Sequence, residues 1–207
     1  MNAHLDRVAE NILPLSEANS LHSALQEWYF TDRTYDHEQA TENCQLCDQE
    51  QLRYHFEIEN RKTKNRLWVG SSCILKFDVA VFDGVTKLDK PNAKKKLSGL
   101  VNTMRLASCL SALKSLAEKE DNEILSNALN YYSENEYLTP KYAFVVMWRL
   151  RENSIDHHPS FFKVSLKRDK YKNDLEGMPK ERAHLIWPCL SSSQRKIAEK
   201  LGHSRPG

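Results

Sequence analysis

Three of the chain's five cysteines fall within one stretch, CQLCDQEQLRYHFEIENRKTKNRLWVGSSC, which runs from Cys44 to Cys73. The Cys44-x-x-Cys47 pair offers two thiolates from a single turn. Cys73 follows Gly70-Ser71-Ser72 and opens the apolar run CILKF, so it stands at a helix start, where the helix dipole favours a thiolate. A tight pair of sulfurs joined by ligands from a distant segment is how a structural zinc ion staples two parts of a chain. A thioredoxin-like redox pair fits less well. Such a pair opens a helix after a strand, whereas DQEQLRYHFEIEN after Cys47 is polar and then strand-like, and the third cysteine has no role in that chemistry.

Tetrahedral zinc needs a fourth ligand. His55 is the first candidate, giving Cys44-x2-Cys47-x7-His55-x17-Cys73, with Asp48, His37 and Cys109 as alternatives. Cys109 lies in the apolar stripe RLASCLSAL, and Cys189 follows Pro188 in another apolar patch. Both read as buried core thiols.

The elements that must position these residues can be read from periodicity. RYHFEIEN alternates, with Tyr54, Phe56 and Ile58 on one face and His55, Glu57 and Glu59 on the other; RKTKN is turn-like and RLWVG is a second short strand, so residues 53–70 predict a β-hairpin. On the N-terminal side, Leu5, Val8 and Ile12, and then Leu21, Leu25 and Trp28, recur at helical spacing, with Pro14 ending the first run. On the C-terminal side, residues 91–120 predict a long helix from Pro91. NEILSNALNYYSE predicts a second, and LTPKYAFVVMWRLRE a third with Thr139 as N-cap and Pro140 at its first position. SFFKVSLKR alternates as a strand would, with Phe162, Val164 and Leu166 inward. MPKERAHLIWPCLSSSQRKIAEKLG predicts two helices broken at Pro188, with a Ser191/Gln194 capping box and Gly202 as the stop. The fold class is therefore α+β, mostly helical. It divides into an N-terminal helical segment (1–43), a zinc-binding hairpin–helix module (44–82) and a helical domain (83–207) that contains a short strand.

Residues 44–77 resemble a short treble-clef-like Cys3His zinc-finger module of bacterial, plasmid and phage proteins. That pattern is C-x-x-C, a strand with an aromatic and often a His, I-x-N-x-x-T, then L-x-V-G-S-x-C-I-x-x-F. Cys44, Cys47, His55, Ile58, Asn60, Thr63, Leu67, Val69, Gly70, Ser71, Cys73, Ile74 and Phe77 match it; Asp48 stands where such modules often have Gly. The resemblance covers about one sixth of the chain. It implies a zinc site and a mobile-element or nucleic-acid setting, and no reaction.

The rest of the sequence bounds the function. Its 207 residues are 40% hydrophobic and 28% charged, as in a soluble folded protein. No apolar run approaches the roughly 20 residues of a membrane span, and the N-terminus has no secretory signal pattern. A cytoplasmic location with reduced cysteines, zinc as structural cofactor and no membrane partner is expected. Residues 1–60 hold twelve acids against three Lys/Arg, a balance of −9, and the remainder holds 27 Lys/Arg against sixteen acids, +11. The basic part could meet a polyanion or be neutralised by the acidic segment. Arg61, Lys62, Lys64 and Arg66 at the hairpin tip, Lys94, Lys95 and Lys96, and Lys167, Arg168 and Lys170 beside Tyr171 form clusters of the kind that contact DNA or RNA phosphates. Asp156-His157-His158 resembles the signature of a manganese-dependent phosphoesterase superfamily but lacks the upstream aspartates needed to hold two metals. No phosphate loop, nucleophile elbow or H-E-x-x-H helix is present. The leading expectation is a non-enzymatic nucleic-acid-binding accessory protein of bacterial or phage origin. A protein-binding adaptor or inhibitor in phage–host conflict comes second, and the phosphoesterase last.

Overall fold

The structure is a computed structural model that describes residues 3–207. Met1 and Asn2, part of the expected N-terminal segment, lie outside the described residues. The chain divides into two units, Met1–Met104 and Arg105–Gly207. The N-terminal helices and the cysteine module share one hydrophobic core.

In the first unit, α1 (Ala3–Ile12) buries Val8 and Ile12, and Pro14 lies in the 3-10 turn Leu13–Leu15 that ends it. Helix α2 (Leu21–Gln26) is capped by the Ser20 side chain, which accepts from the Ser23 N–H. The predicted helical stripe through Trp28 is corrected here. Trp28 begins strand β1 (Trp28–Asp36), because the run WYFTDRTY is rich in the aromatic and β-branched types that suit a pleated surface. Strands β2 (Tyr54–Asn60) and β3 (Arg66–Val69) form the expected hairpin, and the antiparallel sheet has the order β1-β2-β3. Phe56 pairs with Val69, and Ile58 with Leu67 and Phe30, all five side chains buried. A one-residue slip would turn that whole set out of the core.

The other face of β2 is also covered. Glu57 and Glu59 are buried under Arg33, 3.0 Å from Glu57, and Arg66, 2.8 Å from Glu59, while the Tyr29 hydroxyl donates to Glu59 at 2.9 Å. Charges leave water only when paired. Helix α3 (Ser71–Lys76) follows β3 directly. A small hairpin, β4 (Phe82–Asp83) and β5 (Thr86–Lys87), turns at Gly84, whose φ of +56° needs no Cβ there. Helix α4 (Lys90–Lys119) is the predicted long helix and spans the boundary in sequence.

The second unit holds α5 (Glu123–Asn135), α6 (Pro140–Glu152), α7 (Asp169–Glu176), α8 (Lys180–Ile186) and α9 (Ser192–Lys200) around a core that includes Leu113, Leu125, Val146, Leu150 and Phe162. Thr139 caps α6 with Pro140 at its start, and Ser191 with Gln194 forms the expected capping box. Pro188 sits in the 3-10 turn Trp187–Cys189 between α8 and α9, and Gly202, at φ +92°, follows the last helix. The short strand expected at SFFKVSLKR does not form. Pro159–Phe161 is a 3-10 turn, and Val164 makes only one parallel bridge, to Leu138. Phe162, Val164 and Leu166 are buried as expected, but so are Phe161 and Ser165, so burial here does not follow the alternation of a strand. Among the described residues no helix is long and apolar enough to cross a membrane.

Candidate metal centre

The C-x-x-C turn is built from the backbone. The Asp48 N–H donates to Cys44 O at 2.8 Å and the Cys44 N–H to Gln49 O at 2.9 Å. Asp48 has φ +57°, a left-handed conformation in which Gly is unstrained and Asp is tolerated. The side chain of Asp48 is held by Arg7 at 3.1 Å and Asn11 at 3.4 Å, both from α1. Gln45 ties the turn to β3: its N–H donates to Trp68 O at 3.0 Å and its side-chain oxygen accepts from the Trp68 N–H at 2.7 Å. On the other side, Cys73 is in the first turn of α3, its N–H bonded to Gly70 O at 3.0 Å.

These constraints bring the Cys73 sulfur 3.6 Å from that of Cys44 and 3.0 Å from that of Cys47. All three thiols are free and buried, and their sulfurs lie too far apart for a disulfide of about 2 Å. Among the described residues these are the Cys, His and acidic ligand atoms that gather, three or more together, within 4.8 Å of one another. The group could hold a metal ion.

Its ionisation is uneven. The hydrogen bond between the Cys44 and Cys73 sulfurs, helped by backbone N–H groups of Gly70, Leu46 and Cys47 and opposed by burial, brings the Cys44 thiol down to about 5. The same bond, with burial and the contact to Cys47, pushes the Cys73 thiol far up, and burial raises Cys47. Three adjacent thiolates in so little water require a cation among them.

His55 is buried on β2 but does not join the sulfur group within 4.8 Å. Its Nδ1 lies 3.0 Å from Nε2 of His37, whose own Nδ1 is 4.0 Å from Glu42. Its Nε2 is buried with no hydrogen-bond partner. Burial, and then the neighbouring His37, hold its pKa below the usual histidine range, against the backbone of Asn43 and the charge of Cys44. Asp48 and His37 also stay outside the group. Cys109 and Cys189 belong to the core of the second unit, where burial pushes each thiol up to about 12.

The hairpin tip is anchored to the chain's own N-terminal segment. Asn60, fully buried, donates to Glu27 at 2.8 Å and accepts from the N–H groups of Lys62 and Thr63 at 2.8 and 3.1 Å. Glu27 also accepts from the N–H groups of Glu17 and Ala18, both at 3.0 Å. Leu15 O accepts from Thr63 Oγ1 at 2.7 Å and Asn65 Nδ2 at 3.1 Å. The Asn60 hydrogen bond is the main reason the Glu27 carboxyl is held down at about 2.

Of the basic candidates, Lys62 pairs with Glu17 and Glu27, Lys64 and Arg66 with Glu59, and Lys96 with Asp32. Arg61 lies over the rings of Tyr29 and Phe82. Acids of residues 1–60 therefore neutralise much of the tip. Lys94 and Lys95 are exposed in the first turns of α4, as are Lys167, Arg168 and Lys170 at the start of α7. The Asp156-His157-His158 triplet is engaged locally: Asp156 pairs with Arg105 at 2.8 Å, His157 contacts Ile155 O, and His158 caps the turn at Ser160.

Sequence pattern alone could not give the Glu27–Asn60 lock, whose partners lie 33 positions apart. No protein-family model, curated protein or solved structure matches the chain.

Proposed function

We propose that the protein is a zinc-binding, non-enzymatic accessory protein of bacterial or mobile-element origin that contacts nucleic acid. The observation that carries the metal reading is the buried three-sulfur group. A tetrahedral zinc with Zn–S near 2.3 Å sets its sulfurs about 3.8 Å apart; the 3.6 Å Cys44–Cys73 spacing is close to that, whereas Cys47 and Cys73, at 3.0 Å, would have to separate to admit the ion. Zinc would hold the three thiolates together and tie the C-x-x-C turn to α3. The knuckle–hairpin–helix order supports a treble-clef-like finger. His55 is the fourth ligand in this reading. With the His55 tautomer whose Nδ1–H donates to His37, the buried, unpartnered Nε2 lone pair is left for the metal, and His37 and Glu42 orient the ring. Such a closed shell leaves no open coordination position, so the ion acts in folding rather than catalysis.

The nucleic-acid reading is supported by the cations left on the surface, Lys94 and Lys95 in one unit and Lys167, Arg168 and Lys170 in the other. They would meet phosphates without reading sequence. A labelled DNA and RNA titration over a salt series tests it. Affinity should fall steeply with salt, and Lys94→Glu with Lys95→Glu should weaken binding to all sequences alike. No binding at low salt overturns the proposal.

A further inference from the structure

Helix α6 is apolar on two sides. Ala143, Val146, Met147 and Leu150 are buried in the core of the second unit. Phe144, Val145 and Trp148, with Lys141 one turn earlier, lie on a different face at helical spacing and line a cavity of about 450 Å³. Its other walls come from Asp174, Gly177 and Met178 at the end of α7, from Pro179 and Arg182 at the start of α8, and from Asn122 and Ile124 at the start of α5.

The lining is unusual for a surface. Trp148 is 40% and Ile124 62% exposed, two of the five large hydrophobic side chains exposed among the described residues, and both border this one cavity. The rings of Phe144 and Trp148 are parallel to within 5°, with centroids 6.2 Å apart. The Arg182 guanidinium lies 4.7 Å from the Phe144 ring centre. Lys141 and Asp174 neutralise each other at 2.8 Å. Arg182 has no carboxylate partner among the described residues, so it is the one lining charge left uncompensated there.

We propose that this cavity binds a small planar aromatic carboxylate. The parallel faces of Phe144 and Trp148 offer a stacking surface for the ring, and Arg182 supplies a planar, permanently charged donor for the carboxylate. The volume lies toward the low end of the roughly 300–1,000 Å³ typical of small-molecule pockets. A protein partner would need on the order of 800 Å² of surface on each side, far more than this recess presents. This inference is independent of the metal site, which lies in the other unit.

The test uses indole-3-acetate and its uncharged counterpart indole-3-acetamide as probes. The chain has four tryptophans, so ¹⁵N-labelled full-length protein gives four indole N–H signals, and Trp148→Phe assigns the relevant one. Indole-3-acetate should move the Trp148 signal saturably and bind about tenfold tighter than the amide. Arg182→Gln should abolish that preference while leaving the amide's affinity unchanged. Trp148→Ala, at an exposed position, should keep the fold by circular dichroism and lose both ligands. The proposal is overturned if no saturable shift occurs up to about 10 mM, if acid and amide bind wild type equally, or if Arg182→Gln retains the preference.

Discussion

Replacing Asn60 by Ala should unfasten the hairpin tip from the N-terminal segment. The side chain is fully buried and donates to the Glu27 carboxylate at 2.8 Å, a hydrogen bond to a charged group. Such bonds contribute about 1.5–3 kcal/mol. Asn60 Oδ1 also accepts from Lys62 and Thr63, and losing two partly hydrated turn bonds adds about 1 kcal/mol. The expected loss is about 3 kcal/mol. Urea denaturation followed by circular dichroism measures it. Because one carboxylate is the shared partner, Asn60→Ala and Glu27→Gln should be non-additive in a double-mutant cycle. A cost below about 1 kcal/mol, or simple additivity, would refute the idea that this buried pair anchors the tip.

Acid should act through the same contact. Glu27 is held at about 2, below the ordinary 4.5, so the folded state binds its proton less readily than the unfolded chain does. Its stabilisation is present above pH 4.5 and lost as pH falls toward 2; the loss should be smaller in Asn60→Ala when melting temperature is followed against pH. At Asp48, with φ +57°, Val should destabilise by about 1–2 kcal/mol. Gly should change stability by no more than about 0.5 kcal/mol, the relieved strain offsetting the lost Arg7 pair, as thermal melts would show. For the fourth ligand, competition with a chelator should find zinc affinity reduced about 10–100-fold in His37→Ala, and by more in His55→Ala; unchanged affinity in His55→Ala would remove it from the shell.

The hairpin, the long helix and the caps at Thr139 and Ser191 were legible because each is set by local chemistry: alternation, helical spacing, a hydroxyl before a helix. The nearness of Cys73 to the C-x-x-C turn was legible from spacing and residue type. Trp28 fits a helical stripe as well as a strand, and only its pairing with β2 decides. SFFKVSLKR alternates in residue type, but its burial does not alternate, since Phe161 and Ser165 are buried as well, and a strand also needs a neighbour. The fate of the basic tip was hidden for a further reason. Charge counts showed that the acidic and basic parts could neutralise each other, but not that Glu17, Glu27 and Glu59 meet Lys62, Lys64 and Arg66. Those contacts depend on the tertiary fold. Asp48 is the opposite case: its departure from Gly is explained once the left-handed turn and its Arg7 and Asn11 partners are seen.

Cys44, Cys47 and Cys73 are proposed to hold a structural zinc ion. Elemental analysis of protein purified under reducing conditions, beside a Cys73→Ser variant, tests it most directly. The expected result is about one equivalent of zinc per chain in the wild type, its loss in the variant, and a cooperative drop in melting temperature when a chelator strips the wild type. A wild-type protein that is folded, free of metal, and has all three thiols titratable would contradict it.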